Sequence, residues 1–274
     1  MAQEEHAAAV IFAAGYGSRM KGFTGNKVLL PLIPESHPFI GRHPMIVEII
    51  ENLPAGPKTL VVHHRRQEVI GVTRDLGVSY CEQSVPNGTG GALIAAKDFI
   101  EGITQDYLII TMGDVPFVKR ATYHRLIASL EDRDLVVLGF KPMDRAQYGL
   151  LEIEGAAVKR ITEWRYWREY PLERQVYFEV FNAGIYGAKR QSLLYYTREL
   201  EKRPHRVRKE RGGRMRTVEE YFITDLVELM TNDGLTVGFT VTEEEQEVMG
   251  IDTVEDLILA QRIFAQESGK SLDL

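Results

Sequence analysis

The chain has 274 residues, 44% of them hydrophobic and 26% charged, and a formal net charge of -6 at pH 7. That length supports a sizeable core in one large α/β domain or two small ones, and the composition excludes disordered and fibrous classes. The acidic balance argues against a nucleic-acid partner, which needs a basic surface excess, but not against a small polyanion held by a few local cations.

The start of the chain carries Glu4 and Glu5 and no basic n-region, so no signal peptide is expected. Apolar runs at residues 10–14, 59–63, 78–81, 107–111 and 135–140 predict strands, and between them 45–53, 66–76, 91–100 and 121–130 carry apolar residues at helical spacing. This alternation is that of a parallel sheet covered by helices, with any site along the carboxyl ends of the strands. Further strands are expected at 150–153, 158–164 and 178–186, and a helix over 190–201. Thr217 and Glu220 have capping-box spacing and predict a helix from there to about 232, with Gly234 as its stop. A last helix is expected from Thr253 to about Gln266.

Two stretches break the pattern. Residues 202–216 hold seven arginines and lysines beyond Lys202 around Gly212 and Gly213, which reads as a solvated loop or, alternatively, a flap facing phosphates or a partner. Trp164, Tyr166, Trp167 and Tyr170 form an aromatic cluster suited to packing or an oligomer contact. Cys81 is the only cysteine, which excludes an internal disulfide and a multi-cysteine zinc site and fits a reducing cytoplasm. No apolar run reaches the ~18 residues of a membrane span, so no membrane anchor is expected. His63 and His64, adjacent on a predicted strand, should point to opposite faces and serve structural roles.

Residues 12–20 read Phe-Ala-Ala-Gly-Tyr-Gly-Ser-Arg-Met directly after the first strand. Small residues let backbone N–H groups approach phosphate oxygens, and Arg19 adds a planar cationic fork. The loop is neither a dinucleotide fingerprint, because Met20 stands at the third glycine position, nor a Walker loop, because Phe23 stands where the lysine belongs.

The loop resembles the signature of the sugar nucleotidyltransferases, in particular the uridylyltransferase domain of bifunctional N-acetylglucosamine 1-phosphate uridylyltransferases. The resemblance continues in order through Asn26-Lys27-Val28-Leu29, Asn87-Gly88-Thr89-Gly90 and Met112-Gly113-Asp114-Val115-Pro116. Tyr148-Gly149, Glu163, Asn182-Ala183-Gly184, the segment 220–225 and the segment 247–252 complete it. It implies a Rossmann-like mixed α/β sheet of the glycosyltransferase-A-like type with a sugar-binding lobe. The 1–274 chain would be one domain: a nucleotide-binding half to about 140, a sugar-binding lobe over about 141–252 and a C-terminal helix over 253–274.

The implied activity is transfer of a nucleotidyl group from a nucleoside triphosphate, UTP first, to a sugar 1-phosphate, with Mg²⁺ as cofactor. By resemblance Arg19 and Lys27 are catalytic. Ala13, Ala14, Gly15, Gly17, Gln83, Gly88 and Thr89 bind the nucleotide, and Gly149, Glu163 and Asn182 the sugar. Asp114 and Asp252 hold the metal. Asp252 could instead cap the last helix, and Glu163 could pair with Arg160 or Arg165 at the surface. Departures from the family pattern are Tyr80 at the base-reading glutamine, a longer base loop through residues 84–86, Met112 for a tyrosine, and Asp252 where the uridylyltransferase has asparagine. The sequence ends at Leu274, so the β-helix acetyltransferase domain of the bifunctional enzyme is not expected. Two other readings stay open: transfer to a non-sugar phosphate such as phosphocholine, and a non-catalytic module that binds nucleotide sugars. Oligomeric state is open as well.

Overall fold

Ala-Ala-Val-Ile-Phe-Ala has almost no polar face, and it forms a strand, β1 (Ala8–Ala13), buried on both sides as a central parallel strand should be. The computed structural model describes residues 6–145, 147–211 and 214–268. After β1 come a hairpin of β2 (Pro31–His37) and β3 (Ile40–Pro44), then α1 (Met45–Asn52), β4 (Lys58–Val62), α2 (Arg66–Thr73) and β5 (Val78–Glu82). The chain continues through α3 (Thr89–Ala95), α4 (Lys97–Gly102), β6 (Tyr107–Met112), α5 (Arg120–Ala128) and β7 (Leu135–Phe140). Next are β8 (Leu150–Glu154), β9 (Ala157–Thr162), the short α6 (Trp164–Trp167) and α7 (Leu172–Gln175), then β10 (Phe181–Lys189) and α8 (Arg190–Glu201). A second hairpin, β11 (His205–Arg211) with β12 (Arg214–Glu220), precedes α9 (Asp225–Asn232), β13 (Val237–Val241) and α10 (Val254–Glu267).

Among the described residues the main sheet has nine strands, seven of them in the order β13-β7-β10-β6-β1-β4-β5, with β8 pairing β10 and β9 pairing β8. The strands from β6 to β5 are mutually parallel, whereas β10 runs antiparallel between β6 and β7. This is the mixed α/β architecture expected from the sequence. Alternation along β1 assigns its side chains to two layers: Ala9, Ile11 and Ala13 pack with α1, α2 and α5, and Ala8 and Val10 with α3, α8 and α9. A third, smaller core holds α10 on the β2–β3 hairpin through Leu30, Leu32, Met45, Leu257, Ala260 and Ile263. Among the described residues no helix is long and apolar enough to cross a membrane.

The predicted strands and helices of the first half form within a few residues, with one break. The helix expected over 91–100 divides at Ala96, whose N–H turns back to the Leu93 carbonyl. In the second half the helix expected from Thr217 does not form there. Residues 214–220 instead pair with 205–211, setting Val207 opposite Val218, and the helix starts at Asp225. The same pairing turns the basic run, expected as a loop, into a hairpin; Gly212 and Gly213 lie outside the described residues. Its base is fixed by His205, which hydrogen-bonds Asp225 at 2.7 Å and packs its ring 5.0 Å from Phe222.

In the aromatic cluster, Trp167 is buried. Its ring meets Phe178 and Phe181 edge-on, and its indole N–H donates to the Tyr148 carbonyl at 2.8 Å. Packing is thus the role of that residue, while Tyr166 is exposed.

Candidate active site

Because β6, β1, β4 and β5 are parallel neighbours, the loops that leave their carboxyl ends share one edge of the sheet. Residues 14–19 leave β1, and Gly113-Asp114 leaves β6 beside them; the Gly113 N–H donates to the Phe12 carbonyl at 2.9 Å. A Cβ on Gly113 would stand 2.7 Å from that oxygen, so the approach needs glycine.

Asn26 organises the next part. Fully buried, it donates from Nδ2 to the carbonyls of Ala13 (3.3 Å) and His64 (2.7 Å). Its Oδ1 accepts from the Val28 N–H at 3.2 Å, capping the single 3-10 turn Lys27–Leu29. One side chain therefore ties the end of β1, the turn after β4 and the turn that carries Lys27. Gly17, at φ +61°, lies so close that a Cβ would be 2.9 Å from the Lys27 Cβ.

Lys27 is buried, and its ammonium donates to Asp114 Oδ2 at 2.5 Å and to Asp252 Oδ1 at 2.7 Å. Burial works against the charge, but the two carboxylates outweigh it and hold the Lys27 pKa above its ordinary value. Asp252 is brought across the sequence by the Ile251 N–H, which donates to the Asp114 carbonyl at 2.9 Å. Its other oxygen takes Arg19 Nη2 at 2.8 Å. The capping alternative for Asp252 is overturned: Thr253 is the N-cap of α10, in a capping box with Asp256. Gly15, Gly17, Arg19, Lys27, Asp114 and Asp252 line one cleft of about 220 Å³. Asp114 and Asp252 already converge on a single cation, the Lys27 ammonium. Two such hard oxygen donors suit Mg²⁺, which leaves its other positions to water and phosphate oxygens.

The base loop after β5 is docked onto residues 221–223. The Tyr221 N–H donates to Asn87 O (2.8 Å), the Gly90 N–H to Tyr221 O (2.9 Å) and the Ile223 N–H to Thr89 Oγ1 (3.2 Å). Gln83, expected to contact the nucleotide, is buried, and its amide N–H groups go to Asn87 Oδ1 and Gly88 O, both at 3.0 Å. It braces the loop. Tyr80, aligned with the family's base-reading position, turns away as well, its hydroxyl 2.9 Å from Thr73 Oγ1 behind the sheet edge. Gly88 sits at φ +95°, and a Cβ there would lie 2.3 Å from the Tyr221 carbonyl oxygen. Gly88→Ala should therefore cost about 3 kcal/mol or more of stability and weaken nucleotide binding. Thermal unfolding with and without nucleotide checks this, and an unchanged midpoint would contradict the close packing.

Gly149, Glu163 and Asn182 also meet. A Cβ on Gly149 would be 2.9 Å from Ile161 Cγ2, 3.7 Å from Asn182 Cβ and 3.9 Å from Glu163 Oε2. Asn182 lies at a bulge in β10, where its Oδ1 accepts from the Gly184 N–H and its Nδ2 donates to Tyr186 OH, both at 2.9 Å. Each end of that amide keeps one hydrogen-bonding position. Glu163 accepts from Thr224 Oγ1 at 3.2 Å, and burial raises its pKa above the usual carboxylate value. The surface pair considered for it does not form with Arg160, which binds Glu152 at 3.1 Å.

His63 and His64 differ from expectation. β4 ends at Val62, so both lie in the following turn and both face Tyr16 of the glycine loop. The only sequence signal for this contact was their proximity to a strand end.

A family model described as MobA-like NTP transferase domain matches residues 9–219. The chain is 30% identical over 262 residues to the Bifunctional protein GlmU of Ruegeria pomeroyi, covering 94% of this chain and 52% of that protein. It is 31% identical over 273 residues to the Bifunctional protein GlmU of Hyphomonas neptunium, covering 97% and 53%. It thus spans about half the length of these relatives. Among solved structures, the uridine diphosphate N-acetylglucosamine pyrophosphorylase of Trypanosoma brucei superposes with a TM-score of 0.73 at 14% identity, covering 97% of this chain and 68% of that one. A CMP:2-keto-3-deoxy-manno-octonic acid synthetase complexed with CTP superposes with a TM-score of 0.63 at 16% identity, covering 95% and 99%.

Proposed function

The chain belongs to the MobA-like NTP transferase domain family, and from that premise we propose that it transfers a nucleotidyl group from a nucleoside triphosphate, UTP first, to a sugar 1-phosphate. The observation that carries this reading is the meeting of Arg19, Lys27, Asp114 and Asp252 beside a glycine loop.

A sugar 1-phosphate is already dianionic near neutral pH, since its second pKa is about 6, so an oxygen of it can attack without a general base. That oxygen forms a bond to the α-phosphorus, the bond to the bridging oxygen breaks, and pyrophosphate leaves with its electron pair. The obstacle is repulsion between anions. Arg19 and Lys27 supply fixed positive charge at the loop, and backbone N–H groups of the small residues Ala14 and Gly15 approach the phosphates. Asp114 and Asp252 would hold Mg²⁺, which when bound would neutralise charge shared by the two reactants.

Gly149, Glu163 and Asn182 would grip sugar hydroxyls with the hydrogen-bonding positions they retain. A quaternary ammonium acceptor would need free aromatic faces around it, whereas Trp167 is committed to the core and guanidinium groups already cover Trp164, Tyr166 and Tyr170, from Arg168 (4.7 Å), Arg165 (4.7 Å) and Arg174 (4.0 Å). Two sequence-matched relatives are named for GlmU, and one fold relative for a uridine diphosphate sugar, which supports UTP and a hexosamine 1-phosphate as first substrates to try.

Pyrophosphate release from each nucleoside triphosphate, against a panel of sugar 1-phosphates with Mg²⁺, tests the proposal. No release from any pair would refute it and favour a binding module. Within this reading, Glu163→Gln should raise KM for the acceptor about 10-fold and leave KM for the triphosphate unchanged, because one anionic acceptor of sugar hydroxyls becomes neutral. Its effect on stability has a defined sign. A carboxyl whose folded pKa is raised favours the folded state below its unfolded pKa and loses that advantage as pH rises through the folded value. The Gln variant should accordingly be at least as stable as the parent at neutral pH, which denaturant titration would measure.

A further inference from the structure

The turn between β4 and α2 lies between the two loops already assigned to the nucleotide. In the sheet order β1-β4-β5, the glycine loop leaves β1 and the base loop follows β5, and the carboxyl end of β4 lies between these two strand ends. His63 and His64 stand there. Tyr16 reaches over from the glycine loop, with its hydroxyl 2.9 Å from His63 Nε2 and its ring 5.0 Å from the His64 ring. The His63 ring meets it edge-on at 5.5 Å. Although fixed on two sides, Tyr16 is 53% exposed.

We propose, resting on the nucleotidyltransferase reading, that Tyr16, His63 and His64 form an aromatic shelf that receives the base and ribose of the nucleoside triphosphate by stacking. The side chains nearest the base loop leave this task open: the Gln83 amide donors are spent on Asn87 and Gly88, and the Tyr80 hydroxyl faces Thr73. Stacking on an aromatic face tolerates any base, so the shelf contributes affinity for the nucleoside with little discrimination between bases. It leaves the phosphates to the cations. The Asn26 staple runs through the His64 backbone carbonyl, so side-chain substitutions in the shelf leave it in place.

Calorimetric titration with Mg²⁺ and UTP, ATP or inorganic tripolyphosphate tests the shelf. Tyr16→Ala should bind UTP and ATP about 10-fold more weakly, within the range that loss of one base–aromatic stack gives. It should bind tripolyphosphate as the parent does, and Tyr16→Phe, which keeps the ring, should stay close to the parent for all three. Unchanged UTP and ATP affinity in Tyr16→Ala would overturn the shelf. So would an equal loss for tripolyphosphate, which would make Tyr16 a brace of the phosphate loop. Either result, alongside intact pyrophosphate release, leaves the nucleotidyltransferase reading standing; a parent protein that binds none of the three ligands and releases no pyrophosphate removes both.

Discussion

Lys27→Ala is expected to lower turnover by about 10²–10³-fold, the usual cost of removing one donor aimed at charge in a transition state. The ammonium is buried, is held 2.5 and 2.7 Å from two carboxylates, and is gripped from behind by a loop with room only for glycine at position 17. Its pKa lies above the ordinary 10.5, so the sign of its linkage is clear: its contribution is complete below that value and is lost only as pH rises through the raised one. No loss of rate from Lys27 should appear below pH ~10. Stability should suffer less than activity, because the Asp114 and Asp252 side chains are 27% and 29% exposed and water can take over part of their solvation. Steady-state kinetics at saturating substrates, with unfolding curves alongside, separate the two effects. Near-parental turnover in a folded Lys27→Ala protein would make Lys27 a bystander.

The second large effect concerns Asp114 and Asp252. Each Asp→Asn change should suppress turnover by about 10²-fold or more and raise the Mg²⁺ concentration required, whereas the double variant should lose much less than the product of the two. Non-additivity is expected because both carboxylates address one cation position, occupied by the Lys27 ammonium, and because the Ile251 N–H ties their two segments together. Asp252→Asn should be the milder change, since the uridylyltransferase pattern that the sequence resembles carries asparagine at that position. A purely structural role predicts otherwise. Thr253 caps α10, so Asp252→Asn would then alter neither rate nor metal requirement. Mn²⁺ binding followed by electron paramagnetic resonance gives a readout independent of turnover. Unchanged rate and metal affinity in Asp114→Asn would remove the proposed metal site.

Much of this was legible in the sequence because the signals are local. Continuous apolar runs such as Leu135–Phe140 suit strands buried on both faces, and small residues beside Arg19 suit a backbone open to phosphate. The order of short motifs identified the family and, through it, the residues that meet in the cleft. Where the reading failed, partners distant in sequence decided. Thr217 and Glu220 have helix-cap spacing, yet pairing with residues 205–211 makes that segment a strand, since cross-strand bonds outweigh a weak local preference.

Asp252 next to Thr253 offered two capping candidates, and only the Ile251–Asp114 bond and the Lys27 ammonium turn Asp252 toward the cleft. Gln83, read as a nucleotide contact, and Tyr80, aligned with the base-reading position, make hydrogen bonds to Asn87, Gly88 and Thr73 that no local pattern announces. The same holds for the two histidines, which a strand continued through them would have placed on opposite faces and the turn after Val62 places against Tyr16. Side-chain period and motif order are properties of short segments, and they were enough to mark the central strands, the family and the candidate residues Arg19, Lys27, Asp114 and Asp252. Which polar groups remain free for a ligand depends on long-range packing, because a hydrogen bond is spent on whichever partner the fold brings within about 3 Å.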